Sequence, residues 1–95
     1  MQCMFSGCAA FNAPLNNWRV SNVKRMEDMF LHCSAFNQDI SNWDVSNVEN
    51  MCNMLNGCTS FNQNLNNWNV SKVEDMSGAF DHCDNLKVKP AWYNE

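Results

Sequence analysis

One spacing constrains this chain more than any other feature: the same residues return every 25 positions. Trp18, Trp43 and Trp68 keep that interval, as do Met1, Met26, Met51 and Met76. Cys8, Cys33, Cys58 and Cys83 keep it too, and so do Phe11, Phe36 and Phe61. Val20, Val45 and Val70, Ser21, Ser46 and Ser71, and Val23, Val48 and Val73 complete the set, with no insertion or deletion between them. Three full units cover 1–25, 26–50 and 51–75, and a partial unit fills 76–95. A single unit of this length cannot bury an apolar face alone. The period therefore predicts units stacked as a solenoid, about 3.5 rungs in one domain spanning 1–95. Recurrent apolar columns form the interior and variable polar columns the exterior.

Within a unit, Val48, Met51, Met54, Leu55 and Cys58 are spaced as one stripe of a 3.6-residue helix. Ser46 with Glu49 reads as a capping box, and Ser71 with Glu74 repeats it; Ser21 meets Lys24 instead. Gly57 is placed to end the helix in the left-handed conformation, and Gly7, His32 and His82 share its column. The segment Leu65-Asn-Asn-Trp68-Asn-Val70 alternates apolar and polar residues as a short strand does, and Leu15–Val20 and Ile40–Val45 match it. The expected fold is α/β: a leucine-rich-repeat-like solenoid with one short parallel strand and one short helix per 25-residue rung. After Leu86 the pattern dissolves, and Pro90, Trp92 and Tyr93 read as a cap over the last rung.

The run Met26-Glu-Asp-Met29-Phe30-Leu-His-Cys33-Ser-Ala-Phe36-Asn37-Gln38-Asp-Ile40-Ser-Asn-Trp43-Asp-Val45-Ser46-Asn-Val48 resembles the bacterial surface protein repeat of the BspA-like family over about residues 1–86. That resemblance implies a leucine-rich-repeat relative used for protein contact, without enzymatic activity. Members of that family are typically exported surface proteins, and related arrays occur in protists and large DNA viruses.

Composition narrows the function. Six Lys+Arg against ten Asp+Glu give a net charge of −4, against a non-specific nucleic-acid binder. No apolar run is long enough to span a membrane. The start of the chain carries neither a basic segment nor a long apolar one, so no signal peptide or anchor is expected. An intracellular or virion component is therefore expected ahead of an exported one. The cysteine column reads as small buried residues, because equivalent positions on adjacent rungs present parallel Cβ vectors that do not converge for bridging. All six cysteines are expected reduced. No C-x₂-C spacing suggests zinc, and no metal, cofactor, small-molecule substrate or catalytic residue is expected. The seven methionines follow helical spacing and read as core.

Asn fills 17 of the 95 positions. Asn12, Asn37 and Asn62 follow the recurrent Phe at a tight turn, where their side chains can bond backbone of their own or the next rung. Two binding surfaces are expected. The outer strand face offers Asn17, Arg19, Asn42, Asp44, Asn67 and Asn69. The uncapped N-terminal end offers Met1, Met4, Phe5 and Phe11, with Arg19, Lys24 and Arg25 beside them. The expected function is a non-catalytic protein-interaction or structural module, a small subunit docking on a larger assembly such as a capsid or envelope. A cell-surface adhesin or ligand-binding repeat domain is the alternative. The N-terminal end is expected to dock against another copy, an assembly or an N-terminal extension.

Overall fold

The computed structural model describes residues 3–93. Its organisation follows from where the backbone N–H groups go. Met51, Asn53, Leu55 and Gly57 donate to the carbonyls of Asp75, Ser77, Ala79 and Asp81, each at 2.9 Å. The intervening Met54, Asn56 and Cys58 donate three residues back, to Met51, Asn53 and Leu55. The preceding unit repeats the arrangement: Met26, Asp28, Phe30 and His32 reach Asn50, Cys52, Met54 and Asn56 at 2.8–3.0 Å. Cys3, Phe5 and Gly7 reach Glu27, Met29 and Leu31 in the same way.

This overturns the helix expected in each unit. A helix needs its N–H groups bonded four residues back; here alternate groups leave for the neighbouring unit and the rest close three-residue turns. Two left-handed positions per unit enforce the pattern, since consecutive right-handed geometry cannot pass through them. One column is Cys3, Asp28, Asn53 and Gly78, with φ of 57°, 59°, 57° and 69°. The other is Gly7, His32, Gly57 and His82, with φ of 77°, 61°, 83° and 61°. The second column is the one expected to be left-handed, but it closes a turn rather than a helix.

The expected strands are corrected too. Trp18, Trp43 and Trp68 donate back to Leu15, Ile40 and Leu65, and Val23, Val48 and Val73 to Val20, Val45 and Val70. Side-chain oxygens hold these bends. Asp44 Oδ1 accepts the Ser46 N–H at 3.1 Å and its hydroxyl at 2.6 Å, and Asn69 Oδ1 accepts the Ser71 N–H at 3.1 Å. Ser46 and Ser71 are therefore turn residues and not helix caps. Pairing of the strand type shrinks to isolated parallel bridges, Arg25 with Asn50 and Asn50 with Asp75. Among the described residues there is no helix, so the α/β leucine-rich-repeat solenoid is not the fold this chain adopts. It is a body of successive turns, 29 × 26 × 19 Å.

Its interior is built from the recurrent apolar columns. Met29 and Met54, Phe36 and Phe61, Cys33 and Cys58, and Trp43 and Trp68 are all buried. Polar atoms in this core are satisfied by the unit before. Cys33, Cys58 and Cys83 donate their thiols to the carbonyls of Phe5, Phe30 and Leu55 at 2.9–3.0 Å. Trp43 and Trp68 donate their indole N–H to Leu15 and Ile40 at 3.0 and 3.1 Å. Phe11, Phe36 and Phe61 stack with ring centroids 5.9 Å apart. On the surface, Asn37 Oδ1 accepts from the Asn62 N–H and from Gln63 Nε2, both at 3.0 Å, as Asn12 does for Asn37 and Gln38.

Candidate functional site: an uncovered N-terminal face

The two ends of the body differ. Phe30 lies 4.2 Å from Phe36 and 6.3 Å from Trp43, a triad sealed inside the molecule. Phe5 lies 4.2 Å from Phe11 and 5.6 Å from Trp18, the same triad, but all three rings are only partly buried. Met4 is 51% exposed, whereas Met29 and Met54 in its column are 0% and 1%. Cys8 is exposed, whereas Cys33, Cys58 and Cys83 are buried. At the far end Trp92 stacks on Trp68 with centroids 6.3 Å apart and planes 9° apart, and Tyr93 meets Phe80 edge-on at 5.0 Å. Trp92 and Tyr93 thus lie against the last units as expected of the tail, and among the described residues the first-unit triad is less covered than the second.

Among the described residues, the hydrogen bonds that recur in the interior are not repeated at this face. In the interior, carbonyls at the Met29 and Leu31 positions accept N–H groups, and thiol and indole groups donate across to the neighbouring unit. Among the described residues, no such bond engages the Met4 and Ser6 carbonyls, the Cys8 thiol or the Trp18 indole N–H.

Of the residues expected to bind at this end, Met4, Arg19, Lys24 and Arg25 are exposed and Phe5 and Phe11 are partly buried. Met1 lies outside the described residues. Arg19, Lys24 and Arg25 are exposed, but Arg25 is engaged, its Nη2 2.6 Å from Glu27 Oε2. That pair holds the Glu27 carboxyl below its ordinary value, and sequence reasoning missed it. The other surface expected to bind, Asn17, Arg19, Asn42, Asp44, Asn67 and Asn69, is exposed throughout. Three of its side chains are occupied locally: Asp44 and Asn69 by the turns above, and Asn42 by the Asn16 carbonyl at 3.0 Å. Hydrogen bonds from Ser46 hold the Asp44 carboxyl below its usual range. Arg19, Asn42 and Asp44 share a shallow groove of about 300 Å³ with Trp18 and Trp43.

The six cysteines are free thiols. Burial pushes the Cys33 and Cys58 thiols up, and Cys83 to about 11, so these three resist ionisation. Among the described residues, no three His, Cys, Asp or Glu side chains group as metal ligands. No helix among them is long and apolar enough to cross a membrane.

A family model described as "Mycoplasma protein of unknown function, DUF285" matches residues 1–92. The chain belongs to that family. The match replaces the resemblance to the BspA-like surface repeat, which the turn-built fold of this DUF285 member does not support either. No curated protein and no solved structure matches the chain.

Proposed function

We propose that this protein is a non-catalytic interaction module that docks on another protein through its N-terminal face. The observation that supports the reading is the repeated aromatic triad. Sealed at Phe30, Phe36 and Trp43, it is left half-covered at Phe5, Phe11 and Trp18 beside an exposed Met4. Covering apolar surface of this kind contributes roughly 25 cal/mol per Å². Arg19 and Lys24 at its rim add long-range attraction for an acidic partner.

The test is affinity capture from cells that express the protein, with the wild-type chain, Met4→Asp and Asn17→Ala. A stoichiometric protein complex retained by Asn17→Ala and lost with Met4→Asp is the expected result. A complex indifferent to Met4→Asp overturns the reading.

A further inference from the structure

A ladder of side-chain amides climbs the surface and then stops. Gln38 Nε2 donates to the Asn12 carbonyl at 2.9 Å and to Asn12 Oδ1 at 3.0 Å. Gln63 Nε2 does the same to Asn37, at 3.2 and 3.0 Å. Each Asn thus presents two oxygens to one carboxamide NH₂ group from the next unit. In the fourth unit the Asn column holds Lys87 and the Gln column holds Val88. The backbone bends at 87 and 88, where 37–38 and 62–63 run without a bend. Among the described residues, no donor reaches the Asn62 carbonyl or Asn62 Oδ1.

At the bend lies a cleft of about 300 Å³, lined in part by Asn62, Asn64, Asn66 and Lys87 with Leu65 and Leu86. Its polar lining is of both kinds. Asn62 brings two acceptor oxygens. Lys87 Nζ and the Nδ2 groups of Asn64 and Asn66 bring donors that make no other bond among the described residues. The Oδ1 atoms of Asn64 and Asn66 are already taken, by the Asn66 and Ala91 N–H groups at 2.9 and 2.7 Å.

We propose that this cleft binds a primary carboxamide, the side-chain group of glutamine, in the place that Gln38 and Gln63 fill in the earlier units. The chain itself shows which group the paired Asn oxygens accept. A carboxamide also carries both polarities, its NH₂ for the Asn62 oxygens and its oxygen for Lys87 or the asparagine amides. A carboxylate of the same shape offers acceptors alone and would face the Asn62 oxygens with its charge. An ammonium offers donors alone and would meet the charge of Lys87. The volume is at the lower end for small-ligand sites, so the ligand is about one amino-acid residue in size. None of these residues belongs to the N-terminal face, so the cleft stands or falls apart from the docking reading.

Backbone amide shifts of the nitrogen-labelled chain, followed by NMR, report binding residue by residue. The probes are free glutamine and an Ala-Gln-Ala peptide blocked by acetyl and N-methylamide groups, so that its side chain is its sole primary carboxamide. The same peptide with Glu or Met in the middle is the comparison. The glutamine peptide is expected to shift the Asn62, Leu65 and Leu86 amides saturably. Asn62 is exposed and its side chain holds no other described residue, so Asn62→Ala should keep the wild-type melting temperature. That variant should bind the peptide about tenfold more weakly, the loss of one hydrogen bond at the upper end of its net worth. Free glutamine moving the same amides supports the proposal with the amino acid as ligand; the peptide alone moving them supports it with a protein segment as ligand. The Glu peptide binding as tightly as the Gln peptide would show an anion site at Lys87 and overturn the proposal. The Met peptide binding as tightly would show apolar contact alone and overturn it too. So would the absence of saturable shifts at these amides with either glutamine probe, or an affinity indifferent to Asn62→Ala.

Discussion

Trp92 donates its indole N–H to the Leu65 carbonyl at 2.8 Å, one residue ahead of the position where the 25-residue spacing from Trp68 places a tryptophan. Trp68 makes the same bond to Ile40 at 3.1 Å and Trp43 to Leu15 at 3.0 Å. The bond therefore outlasts the strict period. It ties the irregular tail to the third unit and shields Trp68. Trp43→Ala should cost about 3–5 kcal/mol, the range for a fully buried large aromatic. Trp92→Ala, from a half-covered site, should cost about 2 kcal/mol. Urea denaturation measures both; a Trp43→Ala loss below about 1 kcal/mol contradicts its place in the core.

Asn37 links three units through one side chain and one N–H. Its N–H donates to Asn12 Oδ1 at 2.8 Å, and its own Oδ1 receives Asn62 N–H and Gln63 Nε2. Asn37→Ala should cost about 0.5–1.5 kcal/mol, the net worth of a hydrogen bond whose donors water can reach. Asn37→Asp keeps the acceptor and should be much milder. Equal losses from the two substitutions would show that the oxygen is not what matters.

Gly57 stands at φ +83°, and a Cβ there would lie 2.6 Å from His32 Nδ1. Gly57→Ala should therefore destabilise by about 1–2 kcal/mol from backbone strain alone, with the contact adding to it. Gly7 has the same left-handed sign but nothing within 4 Å. Gly7→Ala should cost less, and thermal melts of the two variants give the comparison.

The acid and alkaline limits have separate causes. Bonds from Ser41, Ser46 and Ser77 lower the carboxyl values of Asp39, Asp44 and Asp75 in the folded chain. Their contribution is present above the unfolded carboxylate value of about 3.9 and lost as pH falls through the lower folded values. Cys83 goes the other way, from 9.0 to about 11. Its contribution is complete below pH 9.0 and lost as pH rises toward about 11, because the unfolded chain ionises first. The urea midpoint should be flat through neutral pH and decline on both sides. A midpoint that rises between pH 9 and 10.5 would contradict the buried thiol column.

Much of this was legible in the period. The apolar columns that recur every 25 residues supply the core, all of them buried in the second unit, and the Gly7, His32, Gly57 and His82 column is left-handed as its chemistry suggested. The secondary structure was misread for a physical reason. Apolar residues at Val48, Met51, Met54, Leu55 and Cys58 fit a helical stripe, but two consecutive three-residue turns put the same side chains inward. The discriminating signal was Asp28, Asn53 and Gly78 in one column, residue types that tolerate positive φ. Likewise Asp44 before Ser46 and Asn69 before Ser71 are side chains that bend backbone locally, which a strand reading ignores. Met4, Phe5 and Phe11 occupy interior columns, yet among the described residues they are less covered than Met29, Phe30 and Phe36. The Arg25–Glu27 pair was not legible, since both residues lie outside the recurrent set.

The most direct measurement is the through-hydrogen-bond scalar coupling between amide nitrogen and carbonyl carbon, read by NMR on isotope-labelled protein. The Leu55 amide should couple to the Ala79 carbonyl and the Phe30 amide to that of Met54, each 24 residues ahead. Coupling of Leu55 to Met51, and of Phe30 to Met26, would mean helices in these segments and would contradict the turn-built fold.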